Sequence, residues 1–287
     1  MGSENHRSQK VKRKPKGDEN VNMFSFTNSC TSSVKCLFTN ADSLLNKFAE
    51  LQALIHDESP HIIAICEVKP KNSRYAITDP EVQIAGYDML KNDLGHGKHR
   101  GCIMYIDNRF KATEITTDKS KDAIWCEVKM KNEDKLLIGL TYRSPSNNKQ
   151  EDHEMYENIR KMMQLHHTHK LIVGDFNLPE IQWEHWTTQI EDMNHPSNRV
   201  VDLIRDCYLY QHINQPTRQS GDNQPTVLDL VLTNEEKMVK DIHFFSPLGK
   251  SDHYVLKFNL TCYAFDKGDY PAMVKGQGAK VILHMGW

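Results

Sequence analysis

The 287-residue chain has no apolar run near the roughly 18 residues that a membrane-crossing helix needs, no charged-then-apolar leader, and no Cys-x-x-Cys pair. The first lack argues against helical insertion, the second against export, and the third against the commonest thiolate zinc and redox sites. Internal repeats are also missing. The seven cysteines are an odd number, and Cys36, Cys66, Cys102 and Cys126 sit inside apolar stretches of strand length. The expectation is therefore buried free thiols in a soluble, intracellular protein that is not secreted. His166, His167 and His169 crowd one place in the chain, where interaction with the carbonyl end of a helix is the expected role.

An excess of either charge is lacking too, since 36 Lys and Arg face 38 Asp and Glu for a formal net charge of −2. The balance hides an asymmetry. Residues 1–33 carry six Lys and Arg against three Asp and Glu, so this stretch is +3 and the remainder −5. A nucleic-acid partner cannot be inferred from overall charge, and any electropositive site must be local or made by a bound cation. The same stretch is polar, without apolar periodicity, and contains Lys10-Val11-Lys12-Arg13-Lys14-Pro15-Lys16. It reads as a disordered basic arm, and its cluster as a phosphate-binding patch, a plain solvated tail or a nuclear import signal. The nucleus, with the cytoplasm as a second compartment, is the expected location. Residues 263–287 read as a tail, which leaves one domain over 34–262.

What is present is a series of apolar strands that each deliver a polar side chain. Leu171-Ile172-Val173-Gly174-Asp175-Phe176-Asn177 carries the clearest case, a run of strand length followed by a carboxylate and an amide on alternate residues. A first strand over 34–39 ends at Asn40. An amphipathic helix follows, with Leu44, Leu45, Phe48, Leu51, Leu54 and Ile55 at helical spacing, and a strand over 62–66 then delivers Glu67. That order implies a crossover unit whose two strand ends share one edge of the sheet. Further strands are expected over 101–106, 125–129 and 136–141, the last two paired around a turn at 131–134 and the last delivering Tyr142 and Arg143. Helices are expected over 152–167 and 198–208, and strands over 227–232, 242–245 and 253–260. Residues 69–86 and 91–100 read as loops, the second basic and mobile.

In chain order the polar strand ends are Asn40, Glu67, Tyr142, Asp175 with Asn177, Asp229, and Asp252 with His253. Singly, each has a bland reading: Asn40 a helix cap, Tyr142 a packed aromatic, His253 a structural histidine. As an ordered set over 34–262 they resemble the endonuclease/exonuclease/phosphatase family, which includes DNase I, abasic-site endonucleases and inositol polyphosphate 5-phosphatases. Within it, Thr39-Asn40-Ala41-Asp42-Ser43-Leu44, Tyr142-Arg143-Ser144-Pro145, Gly174-Asp175-Phe176-Asn177, Leu228-Asp229-Leu230-Val231-Leu232-Thr233-Asn234 and Leu248-Gly249-Lys250-Ser251-Asp252-His253 are most similar to the endonuclease domain of non-LTR, LINE-type retrotransposons. Cys66 stands where repair-type members usually carry Gln, which weakens a repair role. No Tyr/Phe-Ala-Asp-Asp polymerase core occurs, so a reverse-transcriptase domain is absent from this chain and an endonuclease portion, truncated or domesticated, is expected.

The resemblance implies a DNase I-like, four-layer α/β sandwich of two packed mixed β-sheets flanked by helices. It implies a Mg²⁺-dependent endonuclease, with Mn²⁺ as substitute, that nicks double-stranded DNA by phosphodiester hydrolysis. Such hydrolysis needs an activated water, a cation on the phosphate and donors for the charge that develops there. Asp175 is the expected general base; Glu67, Asp252 and Asn40 the expected metal ligands; Asn177 and Tyr142 donors to phosphate. Asp229 and His253 suit a carboxylate–imidazole pair. Thr217, Arg143, Lys69 and Arg100 are expected phosphate or DNA contacts, with Lys71, Arg74, Lys98, His99 and Lys250 also near the rim. The alternatives are an abasic-site nuclease, another phosphodiesterase of the same fold, or an inactive domesticated module that binds DNA or protein.

Overall fold

The computed structural model describes residues 33–117, 123–130, 134–219, 221 and 224–262. The expected arm, save Ser33, the expected tail, and all of the expected turn at 131–134 except Asp134 lie outside the described residues. Two mixed six-stranded sheets pack face to face. The first contains β1 (Ser33–Asn40), β2 (Ile62–Cys66), β3 (Tyr87–Asn92) and β4 (Cys102–Asp107), together with β11 (Val239–Phe245) and β12 (Val255–Thr261), in the order β11-β12-β1-β2-β4-β3. The second contains β5 (Ala112–Glu114), β6 (Ala123–Lys129), β7 (Lys135–Tyr142), β8 (His169–Asp175), β9 (Tyr210–Gln211) and β10 (Asp229–Thr233), in the order β5-β6-β7-β8-β10-β9.

Strand alternation explains the layering. Cys36 and Phe38 of β1, Ile62, Ala64 and Cys66 of β2, and Met104 and Ile106 of β4 face one way and meet Ile124, Cys126, Ile138, Leu140, Leu171 and Val173 of the other sheet. The intervening residues Leu37, Ile63, Ile65, Ile103 and Tyr105 face outward, against Leu51 and Ile55 of α1 (Phe48–Glu58). On the other side, Trp125, Leu137, Ile172 and Leu230 meet α3 (Lys149–Met163) and α4 (Pro196–Asp206). Helices thus cover both outer faces, and the central strands are buried on two sides, hence their unbroken apolar runs. Each fully buried Leu or Ile contributes about 1.5–3 kcal/mol. Cys36, Cys66, Cys102 and Cys126 are buried free thiols, as expected, and Cys262 is another.

Glycine permits two close approaches. Gly139 lies opposite Trp125 in the β6–β7 ladder, and a Cβ there would enter the indole ring. That ring is held by a 2.8 Å hydrogen bond from its Nε1 to Asn158 Oδ1. Gly174, just before Asp175, lets β8 press against the backbone of Thr141 in its parallel partner β7, where a Cβ would collide with the Thr141 carbonyl oxygen.

Several elements differ from expectation. α3 begins at Lys149 because Asn148 and Glu151 form a capping box, Asn148 accepting from the backbone of Gln150 and Glu151. It ends at Met163, so the three histidines follow the helix and do not cap it. His167 Nε2 is 3.0 Å from Glu127 Oε2, and His169 Nδ1 is 2.7 Å from Glu235 Oε1. Strands β3, β5 and β9 and the single turn α2 (Asp79–Val82) were not legible, because they are short or lack apolar alternation. No helix among the described residues is long and apolar enough to cross a membrane.

Candidate active site

The polar residues converge because of how the strands run. β1 and β2 are parallel with Asn40 opposite Cys66, and β7 and β8 are parallel with Tyr142 opposite Asp175. Asp229 opens β10 directly opposite Asp175 in an antiparallel pair. His253 lies just before β12, which runs antiparallel to β1. Carboxyl ends of four strands and the starts of two others therefore share one edge of the sandwich. The crossover expected around α1 is present, with both its strand ends there. Beyond Asn40 and Cys66 the chains keep pairing, Ala41 N donating to Cys66 O at 2.9 Å and Ser43 N to Glu67 O at 2.8 Å. Asp42, Ser43, Glu67 and Asn177 all have positive φ, an uncommon backbone state for these residue types that clusters at functional sites.

One half of the site is a buried hydrogen-bonded chain. Asn40 Nδ2 donates to Asp175 Oδ2 at 2.8 Å, while Asn40 Oδ1 accepts from Asp42 N at 3.0 Å. His253 Nδ1 is 2.8 Å from Asp229 Oδ2, and its Nε2 lies 3.8 Å from Asp175 Oδ2. Ser251 Oγ donates to Asn40 O at 2.8 Å, tying the loop before β12 to the end of β1. Burial and the Asp229 charge, opposed by His253 and the Asn40 amide, push the Asp175 carboxyl up to about 7. Burial pulls the His253 imidazole down, but Asp229, Asp175 and Asp252 outweigh it and hold the ring up at about 9. At neutral pH His253 is therefore a cation, aimed at an aspartate poised to exchange a proton.

The other half is an ion-paired cluster. Tyr142 Oη donates to Glu67 Oε1 at 2.7 Å, and Arg100 Nη1 lies 2.8 Å from Glu67 Oε2. Arg100 Nη2 reaches Asp42 Oδ1 at 2.6 Å. Burial, then the Glu67 charge, raises the Tyr142 hydroxyl far above its ordinary range, so it stays a donor. Its proton is held by Glu67 Oε1. A cleft of about 260 Å³ opens beside this cluster, lined by Lys71, Lys98, His99, Arg100, Ser144 and Asn147 among others.

Not every expected residue faces the cleft. Arg143 is buried in a two-pronged pair with Asp152, Nε to Oδ1 at 2.8 Å and Nη2 to Oδ2 at 2.9 Å. Its carbonyl accepts from Asn177 Nδ2 at 2.9 Å, and its N–H donates to Asp175 O at 2.8 Å. Lys69 is fully buried, with Nζ donating to Gly95 O at 2.6 Å. Thr217 is fully buried too, its hydroxyl oxygen accepting from the N–H groups of Leu228 and Asp229. These three position the loops that carry the site and do not form its rim. For Arg143 and Lys69 the reason is desolvation: a cation inside the fold finds a carboxylate or carbonyl before it finds a ligand. Asp252 pairs with Arg218, its Oδ2 2.8 Å from Nε. In the basic loop Gly97 bridges to Ser73 and Lys98 lies 3.4 Å from Glu151 at the surface. Asp42 and Ser251 were missed as site residues, although both lie inside motifs that the resemblance rested on.

The donor set suits a hard divalent cation, being rich in carboxylate oxygens. Asp229 Oδ1 is buried with no hydrogen-bond partner among the described residues, an oxygen in need of a positive neighbour. Asp175, Asp229 and His253 offer ligand atoms within 4.8 Å of one another, a group that could hold a metal ion if the imidazole were neutral.

Two six-stranded sheets packed face to face with outer helices make a DNase I-like, four-layer α/β sandwich. Residues 136–257 match a family model described as endonuclease-reverse transcriptase. The endonuclease domain of TRAS1, a telomere-specific non-LTR retrotransposon, superposes with a TM-score of 0.59 at 16% identity, covering 79% of this chain and 97% of that one. The 3′ phosphatase NExo from Neisseria, bound to product DNA hairpin, gives 0.60 at 15% identity over 80% and 100%. The AP endonuclease LMAP from Leishmania major gives 0.60 at 13% over 80% and 88%. No curated protein sequence matches the chain. The resemblance read from the strand-end motifs is thereby borne out, and so is the four-layer architecture.

Proposed function

We propose that the chain is a divalent-metal-dependent endonuclease that nicks one strand of double-stranded DNA, of the target-site nicking kind used by non-LTR retrotransposons. The observation that carries this is the buried run Asn40–Asp175–His253–Asp229 opening beside Glu67 at one edge of the sandwich. Asp175, lifted toward neutrality, takes the proton of the attacking water. His253, held as a cation by Asp229, donates through Nε2 to the charge that develops on the phosphate. Asn40 holds the Asp175 carboxylate in place, and Asn177, anchored by its amide to the Arg143 carbonyl, lies at the end of the same strand. Glu67, joined to Asp42 through Arg100, is the carboxylate to hold Mg²⁺ or Mn²⁺, which would supply positive charge at the phosphate, and Asp252, beside His253, is a second candidate ligand. Lys71, Lys98 and His99 line the cleft for the duplex backbone, and the basic run 10–16 fits entry to the nucleus.

The deciding assay is nicking of supercoiled plasmid in Mg²⁺ and in EDTA, beside abasic oligonucleotides and a phosphoinositide. Conversion to open circles in Mg²⁺ alone is the expected result. Cleavage confined to abasic duplexes would make the chain a repair nuclease, and phosphoinositide hydrolysis without nicking another phosphodiesterase. Salt-sensitive DNA binding with no turnover would leave a binding module.

A further inference from the structure

Arg100 is more tightly held than a DNA-contacting arginine needs to be. Its side chain is 14% exposed, and each edge of the guanidinium is engaged. Nε donates to Lys69 O at 2.8 Å, Nη1 to Glu67 Oε2 at 2.8 Å, and Nη2 to Asp42 Oδ1 at 2.6 Å. Its carbonyl accepts from Lys69 N at 2.7 Å, so the residue is clamped to Lys69 from both sides. Lys69 in turn anchors the preceding loop through Gly95 O at 2.6 Å. Gly101 follows at φ +69, where a Cβ would meet Asp93 O at 2.8 Å. The loop is built to deliver one planar cation across two carboxylates.

Those carboxylates are the oxygens that a divalent cation would use on this side of the site. Tyr142 already engages Glu67 Oε1 and Arg100 its Oε2, so a divalent ion brought against Oε2 would meet the guanidinium charge 2.8 Å from the same oxygen and be repelled by it. We propose that Arg100 is a built-in rival to the divalent cation: it neutralises the Asp42–Glu67 pair in the metal-free protein and must be displaced for a metal ion to bind. The site therefore binds divalent ions more weakly than its carboxylates alone would. Once displaced, the guanidinium remains within the cleft lined by Lys71, Lys98, Ser144 and Asn147, where a phosphate can take over its hydrogen bonds. This rests on the reading of Glu67 as a metal-binding carboxylate.

The test needs no DNA. Mn²⁺ binding to the full chain is measured by the paramagnetic resonance signal of the free ion and by calorimetry, for wild type, Arg100→Gln, Arg100→Lys and Glu67→Gln. Arg100→Gln is expected to lower the Mn²⁺ dissociation constant about tenfold, a difference of about 1.4 kcal/mol. It should also lower the melting temperature of the metal-free protein and enlarge the rise that Mn²⁺ produces. Arg100→Lys should fall between, since an ammonium cannot span both carboxylates. Glu67→Gln should bind weakly. A merely structural arginine would give lower stability with no gain in Mn²⁺ affinity, and that result, or weaker binding in folded Arg100→Gln, overturns the proposal. If Arg100→Gln does not fold, Arg100→Lys decides: tighter binding than wild type supports the proposal, and equal or weaker binding sinks it. Loss of plasmid nicking in the wild type, with this order of Mn²⁺ affinities intact, would refute the proposed activity and leave this inference standing.

Discussion

The two halves of the site use charge in opposite ways. Around Asp175, Asp229 and His253 the groups are almost fully buried, one imidazolium serves two aspartates, and the proton affinities of Asp175 and His253 rise. Around Glu67 and Asp42 the groups are nearer solvent, and a permanent cation, Arg100, balances them. The first half is suited to moving a proton. The second is suited to exchanging one cation for another. A buried ion pair is costly to open because the partner left behind stays desolvated, whereas a pair at a cleft edge can change partners.

The largest effect expected is loss of nicking in Asp175→Ala and His253→Ala. Each removes a group from the buried half, and a lost catalytic donor typically costs about 10²–10³-fold in rate. Nicking within a few-fold of wild type in either folded variant would remove that half from the chemistry. Arg143→Ala tests whether the same half depends on its support. Breaking the buried Arg143–Asp152 pair is expected to cost about 3–5 kcal/mol of stability, read from urea unfolding. An unchanged unfolding midpoint, with weaker DNA binding, would restore Arg143 as a DNA contact.

The exchangeable half is sharpened by Glu67→Gln, which keeps size and loses charge. Nicking should then need about tenfold more Mg²⁺ to reach a similar plateau. A lower plateau at the same Mg²⁺ midpoint would mean that Glu67 does not act through the metal.

The smallest effect expected lies away from both halves. Burial holds the His212 imidazole down at about 4 from its ordinary 6.5, with Nε2 2.6 Å from Thr233 Oγ1 near the far end of β10. Between those values the unfolded chain binds the proton and the folded chain does not, so stability is full above pH 6.5 and falls as pH drops toward 4. The loss at pH 5 should be on the order of 1 kcal/mol, since the ring keeps part of its solvation. Thermal melts at pH 7 and pH 5 should show His212→Gln with a shallower acid slope than wild type. Equal slopes would place the acid sensitivity elsewhere.

The sequence by itself determined the sandwich and the set of residues at its edge. Unbroken apolar runs can be satisfied only by strands buried on two faces, and the polar residue ending each run then has to lie where the strands end. Asn40, Glu67, Tyr142, Asp175, Asp229 and His253 were legible for that reason. Helix ends set by side-chain caps are open to reading as well, since Asn148-x-x-Glu151 carries its own signature. Short edge strands such as β5 and β9 were not, because two or three residues of pairing leave no periodicity. What only the tertiary structure decided was the use made of each cation. Arg143, Lys69 and Arg100 are alike in sequence, each a basic residue beside a strand end. Their partners, Asp152, Gly95 and the Asp42–Glu67 pair, lie 9, 26, 58 and 33 residues away along the chain. Folding brought those oxygens within reach, and the free energy of burying a charge left the first two nowhere else to go.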